Sequence, residues 1–152
     1  MTWPVPELDT VAQFRALAAG VRGAAVTERV LDTPFEQVWA LLTDFEHGFG
    51  LVEPDMRDVR VVGTAEERVE LLARSRFGFR ARLNAVLRPG FFWAQSRFLV
   101  LGFAAVPESP GSTRVALTGG LRVPGRAALV PVGIRRAGVK SAARLDAALR
   151  AG

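Results

Sequence analysis

The stretch Val26–Asp44, Val-Thr-Glu-Arg-Val-Leu-Asp-Thr-Pro-Phe-Glu-Gln-Val-Trp-Ala-Leu-Leu-Thr-Asp, decides the predicted fold. Its first part mixes β-branched residues with charges in a short run, which is typical of a strand. Thr33 and Glu36 have the spacing of a capping box, with Thr33 as the N-cap. Pro34 suits the first helical position, where its missing N–H costs nothing. The sequence therefore predicts a strand over residues 24–32 and a helix over residues 34–46.

One wide apolar stripe runs along this predicted helix. Apolar side chains recur at helical spacing at Phe35, Val38, Trp39, Leu42 and Phe45, and such a stripe must face a core. The polar residues and glycine of 44–48 end the helix. Residues 47–57 hold two glycines and a proline and predict a loop with a short helix.

A long β region follows. The alternation of Ala81, Leu83, Ala85 and Leu87 with arginines and Asn84 predicts a half-buried strand over residues 80–88. Pro89–Gly90 predicts a turn, and Pro107–Ser112 a hairpin loop. The run Phe98–Phe103 is apolar on both faces, so its strand is covered on both sides or lines something apolar. Further strands are predicted over residues 59–62, 68–76, 91–93, 97–106 and 113–123.

The two ends of the chain favour helices. Residues 1–23 form a predicted N-terminal extension with a short helix closed by Gly20 and Gly23. After Pro131, apolar residues return at helical spacing and predict a long C-terminal helix. Residues 24–152 would then be a single domain of the α+β class. It is expected to be an antiparallel curved sheet of about six or seven strands wrapped around that helix, with two short helices after the first strand.

The order of elements and the stretch Thr33–Asp44 resemble the helix-grip fold of the START-like, or SRPBCC, superfamily, also called Bet v 1-like. More narrowly, the proline-preceded helix with its Val38–Trp39 pair and the following Asp44 is similar to the bacterial polyketide cyclase/dehydrase and lipid-transport branch. The resemblance covers about residues 24–151. The Trp-Pro pair that commonly follows the aspartate in that branch is replaced here by Leu51-Val52-Glu53-Pro54.

This resemblance implies an apolar cavity between the sheet and the C-terminal helix, open at one end. Family members bind lipids, polyketides, hormones or other hydrophobic molecules, and some catalyse cyclisation or dehydration. No catalytic motif is shared across the family, so no catalytic residue carries over. We expect the cavity lining to include Trp39, Phe49, Phe77, Phe79, Leu83, Trp93, Phe98, Leu117, Ile134 and Gly138. Polar contacts to a ligand would come from Ser75, Gln95, Ser96, Thr118 or Ser141.

Composition sets further bounds. The 152 residues include no cysteine, which excludes disulfides and cysteine chemistry and fits a cytoplasmic protein. No apolar run is long enough for a transmembrane segment. Residues 1–76 carry a net charge of −5 and residues 77–152 a net charge of +10. Because the arginines alternate with apolar residues, we interpret most of them as outward strand positions and expect no nucleic-acid partner.

Few residues are candidates for catalysis, metal binding or anion binding. His47 is the single histidine, which excludes a Ser-His-Asp triad and multi-histidine metal sites. An acid–base role near the cavity mouth is weighed against a simple position at the helix end, which we favour. Glu53, Asp55 and Asp58 lack a convergent ligand set, so no metal and no cofactor are expected. One inward arginine among Arg74, Arg76, Arg80, Arg82 and Arg97 would suit an anionic group on a ligand.

Three functions remain open at this point. The first is binding of a small hydrophobic molecule, lipid or polyketide-like, in the cavity. The second is an aromatase/cyclase-type enzyme that works largely by shape and positioning. The third is a protein-interaction module that uses the basic C-terminal half, with Arg135, Arg136 and Lys140 as its charges. The oligomeric state is not defined by the sequence.

Overall fold

Eleven helices and strands make up the described part of the chain. The computed structural model describes residues 9–22, 24–53, 56–75, 80–96, 99–121 and 134–151. In chain order the elements are α1 (Thr10–Ala19), β1 (Thr27–Leu31), α2 (Phe35–Thr43), α3 (Phe49–Val52), β2 (Met56–Ala65), β3 (Arg68–Ser75), β4 (Arg80–Arg88), β5 (Phe91–Gln95), β6 (Leu99–Ser109), β7 (Ser112–Leu121) and α4 (Ile134–Ala151). The predicted α+β class and order of elements are confirmed.

The seven strands form one curved antiparallel sheet in the order β1-β7-β6-β5-β4-β3-β2. Strands β2 to β7 follow one another as a meander, and β1 completes the sheet by pairing with β7. Gly90, with φ of +79°, makes the two-residue turn between β4 and β5, since this backbone conformation favours glycine. The sheet therefore has two edges, β1 and β2, and two faces with different partners.

The interior face of the sheet carries the main core. Leu71, Leu83, Phe103 and Leu117 project from it and are at most 5% exposed. Val38 and Leu42 of α2 pack against the same cluster, with Phe35 and Trp39 partly buried beside them. The apolar stripe predicted for the helix after the first strand is confirmed.

The outer face of the sheet is covered over β5, β6 and β7 by α1. Phe14 of α1 is fully buried there, in edge-to-face contact with Trp93 at a centroid distance of 5.6 Å. A Cβ on Gly102 would lie 2.7 Å from the Phe14 ring, so the strand is open at this point to admit the ring. The prediction that β6 is covered on both sides is confirmed, because α1 packs on one face and α2 on the other.

Two local predictions are wrong. The helix α2 begins at Phe35 with Pro34 as its N-cap, and no side chain caps it. Thr33 instead supplies its carbonyl oxygen to the hydroxyl of Thr113 at 2.7 Å, which ties the junction to β7. The hairpin predicted over Pro107–Ser112 is shorter, since β6 continues to Ser109 and only two residues form the turn. Side-chain pairing of Ser109 with Ser112 at 2.8 Å allows this tight end.

Among the described residues, no helix combines the length and apolar content that crossing a bilayer requires.

Candidate functional site

The helix α4 lies against one end of the interior face, over β1 and β7. Ala142 and Leu145 of α4 are buried against the sheet. At Gly138 the helix comes so close to the Thr27 side chain of β1 that an added Cβ would meet the Thr27 hydroxyl. The glycine predicted to line the cavity is thus a contact point at which α4 approaches the edge strand.

Aromatic rings fill the space between the sheet and the helices α2 and α3. Phe92 and Phe103 stack with their centroids 4.6 Å apart, and Phe45 lies 5.0 Å from Phe92. Trp39 meets Phe103 edge to face at 5.5 Å, and Phe49 lies 6.1 Å from the same ring. These contacts form an aromatic cluster on one side of the interior.

The interior faces of β3 and β4 lie between these two sets of helices. Their inward residues are apolar and at most 6% exposed, and they are Val69, Leu71, Ala73, Leu83 and Ala85. Helix α3 packs on β2, and α4 packs on β1 and β7, and Val52 of α3 and Leu145 of α4 belong to the same buried cluster as these residues. This apolar surface is therefore part of the interior that the sheet shares with the flanking helices.

Among the predicted polar contacts in the described ranges, Ser141 is the one serine that is buried. It is 3% exposed and lies on α4 beside Ala142. Ser96 accepts from the Leu99 backbone N–H, and Thr118 donates to the Ala25 carbonyl. Gln95 is exposed at the end of β5, and the side chain of Ser75 lies outside the described part.

The predicted lining residues divide into three groups. Trp39, Phe49, Leu83 and Leu117 lie in or against the interior cluster, and Gly138 faces β1. Trp93 is not among them, because it projects from the outer face into the cluster with α1, and we leave it out of the candidate site. Phe77, Phe79, Phe98 and the Ile134 side chain fall outside the described residues.

The register of the hairpin around Pro89–Gly90 explains the position of Trp93. Arg88 pairs with Phe91, and Val86 pairs with Trp93. Because paired residues share a face and the polar residues of β4 face outward, Phe91 and Trp93 also face outward. The two-residue turn and the alternation of β4 are both visible in the sequence. Together they would have predicted that the Trp93 ring lies on the outer face.

The charged candidates do not converge on the interior. The His47 side chain is 82% exposed and contacts Asp44 at 3.3 Å, as expected for a residue at a helix end. Asp58 pairs with Arg74 across two strands, and Asp55 lies outside the described part. The described residues contain no group of three or more potential metal ligands.

The three candidate arginines that the structure describes point away from the interior. Arg74, Arg80 and Arg82 are exposed on the outer face, whereas Arg76 and Arg97 lie outside the described part. Leu71 faces inward and Leu72 outward, which resolves the register that the sequence left ambiguous. Arg29 of β1, which was not a candidate, is the arginine that meets α4, through Asp146.

A separate open cleft of about 500 Å³ lies where β4 turns into β5. It is bordered by the start of α1, the Pro89–Gly90 turn and the Ala105–Pro107 part of β6, with Phe35 at one side. Thr10 closes its floor by donating to the Ala105 carbonyl at 2.7 Å. This cleft is distinct from the surface between β3, β4 and α4.

The arrangement of a seven-stranded antiparallel sheet, two short helices after the first strand and a long helix on the interior face is shared with known proteins. The chain resembles the Zhui aromatase/cyclase from Streptomyces sp. R1128, with 16% identity, a TM-score of 0.59, and coverage of 84% of this chain and 92% of that one. The chain has the START-like helix-grip fold.

Further neighbours with the START-like fold agree. A START superfamily protein from Mycobacterium smegmatis is 17% identical with a TM-score of 0.58, over 84% of this chain and 97% of that one. The di-domain aromatase/cyclase BexL is 19% identical with a TM-score of 0.54, over 84% of this chain and 45% of that one. No family model and no curated protein matches the sequence.

Proposed function

We propose that the protein binds a small hydrophobic molecule, lipid or polyketide-like, between α4 and the interior faces of β3 and β4. The observation that supports this most is the single buried apolar cluster that joins the inward residues of β3 and β4 to residues of α3 and α4. Apolar concave surfaces with a few polar groups are the usual form of small-molecule sites.

The chemistry of the proposed ligand follows from the groups around this surface. Leu71 and Leu83 offer aliphatic contact, and Trp39 and Phe103 offer aromatic faces. Burial of apolar area contributes roughly 25 cal/mol per Å². The buried hydroxyl of Ser141 would bond one carbonyl or hydroxyl group of the ligand. We therefore expect a mainly apolar ligand with one polar end.

The proposed lining retains most of the sequence-based set. From the described part it includes Trp39, Phe49, Leu83 and Leu117, whereas Gly138 is left out because it contacts Thr27 of β1. Phe77, Phe79, Phe98 and Ile134 remain predictions for the same lining. The cytoplasmic location and the absence of a nucleic-acid partner likewise remain predictions.

A pair of variants on β4 tests the proposal. Leu83→Trp adds bulk on the interior face, whereas Val86→Trp adds the same side chain on the outer face, where Val86 is 37% exposed. Binding of a fluorescent apolar probe, 1-anilinonaphthalene-8-sulfonate, should weaken at least tenfold in Leu83→Trp and remain within twofold in Val86→Trp. Equal binding by both folded variants would refute the location of the site, and circular dichroism checks that both fold.

Catalysis of ring closure is the second candidate function. It is favoured by two neighbours whose names state aromatase/cyclase activity. Because the described charged candidates do not converge on the interior, catalysis here would depend on positioning a folded chain. Incubation of the protein with a poly-β-ketone thioester should then change the ratio of cyclised products. A product ratio equal to that of buffer alone would exclude this activity for that substrate.

A further inference from the structure

The outer face of β2, β3 and β4 has a character different from the rest of the sheet. Whereas α1 covers the outer side of β5, β6 and β7, no described helix packs on the outer side of these three strands. We call this surface the basic face. Its outward charged and polar residues are Asp58, Arg60, Arg68, Glu70, Arg74, Arg80, Arg82, Asn84 and Arg88.

Arginine charge on the basic face is only partly balanced. Asp58 pairs with Arg74 at 2.8 Å, and Glu70 pairs with Arg82 at 3.1 Å. Within the described part of the chain, Arg60, Arg68 and Arg80 have no ion pair. The strands therefore present six arginines against two carboxylates, although the whole chain carries only +5.

The strand register places some of these charges in unfavourable positions. Arg80 lies directly opposite Arg74, so two like charges share one cross-strand position. Arg60 and Arg82 lie on either side of Leu72 in the next row. Directly opposed like charges destabilise a sheet. An anionic partner would relieve this repulsion.

Exposed aliphatic residues lie among the arginines. Leu72 and Val86 are each 37% exposed and sit in rows with Arg82 and Arg68. Protein interfaces favour arginine and disfavour lysine, and the single lysine of the chain, Lys140, is on α4. An aromatic side chain, which membrane and single-stranded RNA contacts favour, is absent from the outward residues of β2–β4 in the described ranges.

We propose that the basic face docks an acidic protein surface with apolar residues among its carboxylates. Three strands of about nine residues span roughly 14 by 30 Å, or about 400 Å². Stable interfaces bury about 800 Å² per partner, so the contact is transient. Charge complementarity sets its rate of formation and its salt dependence. This surface is independent of the proposed interior site.

A matched pair of charge reversals tests the docking face. The first double variant, Arg60→Glu with Arg80→Glu, reverses two charges on the basic face. The control double variant, Arg22→Glu with Lys140→Glu, changes the net charge by the same amount at exposed positions elsewhere. The probe is a synthetic 20-residue amphipathic helix of glutamate and leucine, titrated into the full chain and followed by NMR. Its glutamine analogue, vesicles of phosphatidylglycerol and a single-stranded RNA of similar length are compared.

The proposal predicts shifts confined to β2–β4, and a Kd at least tenfold weaker for the Arg60/Arg80 variant. The Arg22/Lys140 variant should stay within twofold, and the glutamine analogue should not bind. Equal weakening by both variants, shifts centred on α4, or tighter binding to vesicles or RNA would each overturn it. Circular dichroism spectra and cooperative thermal unfolding establish that the variants are folded.

Discussion

Arg29 of β1 donates a hydrogen bond to Asp146 of α4 at 2.7 Å, across 117 residues of sequence. The Asp146 side chain is only 14% exposed, and Arg150 also approaches it at 3.2 Å. Together with the contact between Gly138 and Thr27, this ion pair fixes α4 to the edge strand. The position of α4 in turn defines one side of the proposed ligand site.

Removal of the carboxylate should loosen this attachment. Asp146→Ala is expected to lower the free energy of unfolding by about 1–2 kcal/mol, because a partly shielded charged hydrogen bond is lost. Arg150→Ala, which removes a 75% exposed partner of the same carboxylate, should cost less than about 0.5 kcal/mol. Urea unfolding measures both. Equal losses of unfolding free energy in the two variants would mean that the bond to Arg29 does not stabilise the protein.

Gly138→Ala tests the close approach of α4 to β1. Alanine normally stabilises a helix by about 1 kcal/mol relative to glycine. Here the added Cβ would meet the Thr27 hydroxyl, and we expect a net loss of about 1–2 kcal/mol. Addition of Thr27→Ala should restore most of the loss. Gly111→Ala, where nothing lies within 4 Å, is the control, and a stabilised Gly138→Ala protein would contradict the contact.

Thr113→Val should weaken the junction between β1 and α2. The Thr113 hydroxyl is buried and donates to the Thr33 carbonyl, which the valine variant leaves unpaired. The expected loss is about 1–2 kcal/mol in thermal or urea unfolding. Thr113→Ser keeps the hydroxyl donor and should therefore retain the part of the stability that the hydrogen bond contributes. If serine and valine were equally destabilising, the hydrogen bond would not be the cause.

Phe14→Ala examines whether α1 is part of the core. Because Phe14 is fully buried between α1 and the outer face, we expect a loss of about 3–5 kcal/mol. Leu17→Ala, at a position 43% exposed on the same helix, should cost less than about 1 kcal/mol. A small effect for Phe14→Ala, measured by urea unfolding, would show that α1 is loosely attached.

The sequence predicts elements well where a single rule governs them. The stripe from Phe35 to Phe45 and the alternation of β4 each reflect burial on one side, and the structure confirms both. The junction at residues 33–35 was harder. A capping box and a strand contact compete for Thr33, and Thr113, distant in sequence, decides the outcome.

Most of what the sequence did not predict is of two kinds: the sheet face on which a residue lies, and contacts between residues that are distant in sequence. A run such as Phe91–Trp93 is apolar on both sides, so its periodicity does not show which side chains face the interior. Phe14 can be buried because Gly102 has no side chain at the place where its ring lies. The attachment of α4 depends on Arg29 and Asp146, which are separated by 117 residues. Such contacts become visible only once the sheet order is known.

The proposal of an apolar ligand is tested most directly by native mass spectrometry of the freshly purified protein, followed by incubation with a panel of lipids and polyphenols. We predict a bound species whose extraction releases an apolar molecule with one polar end, and which the Leu83→Trp variant lacks. A protein that emerges unliganded and takes up no member of the panel would contradict the account.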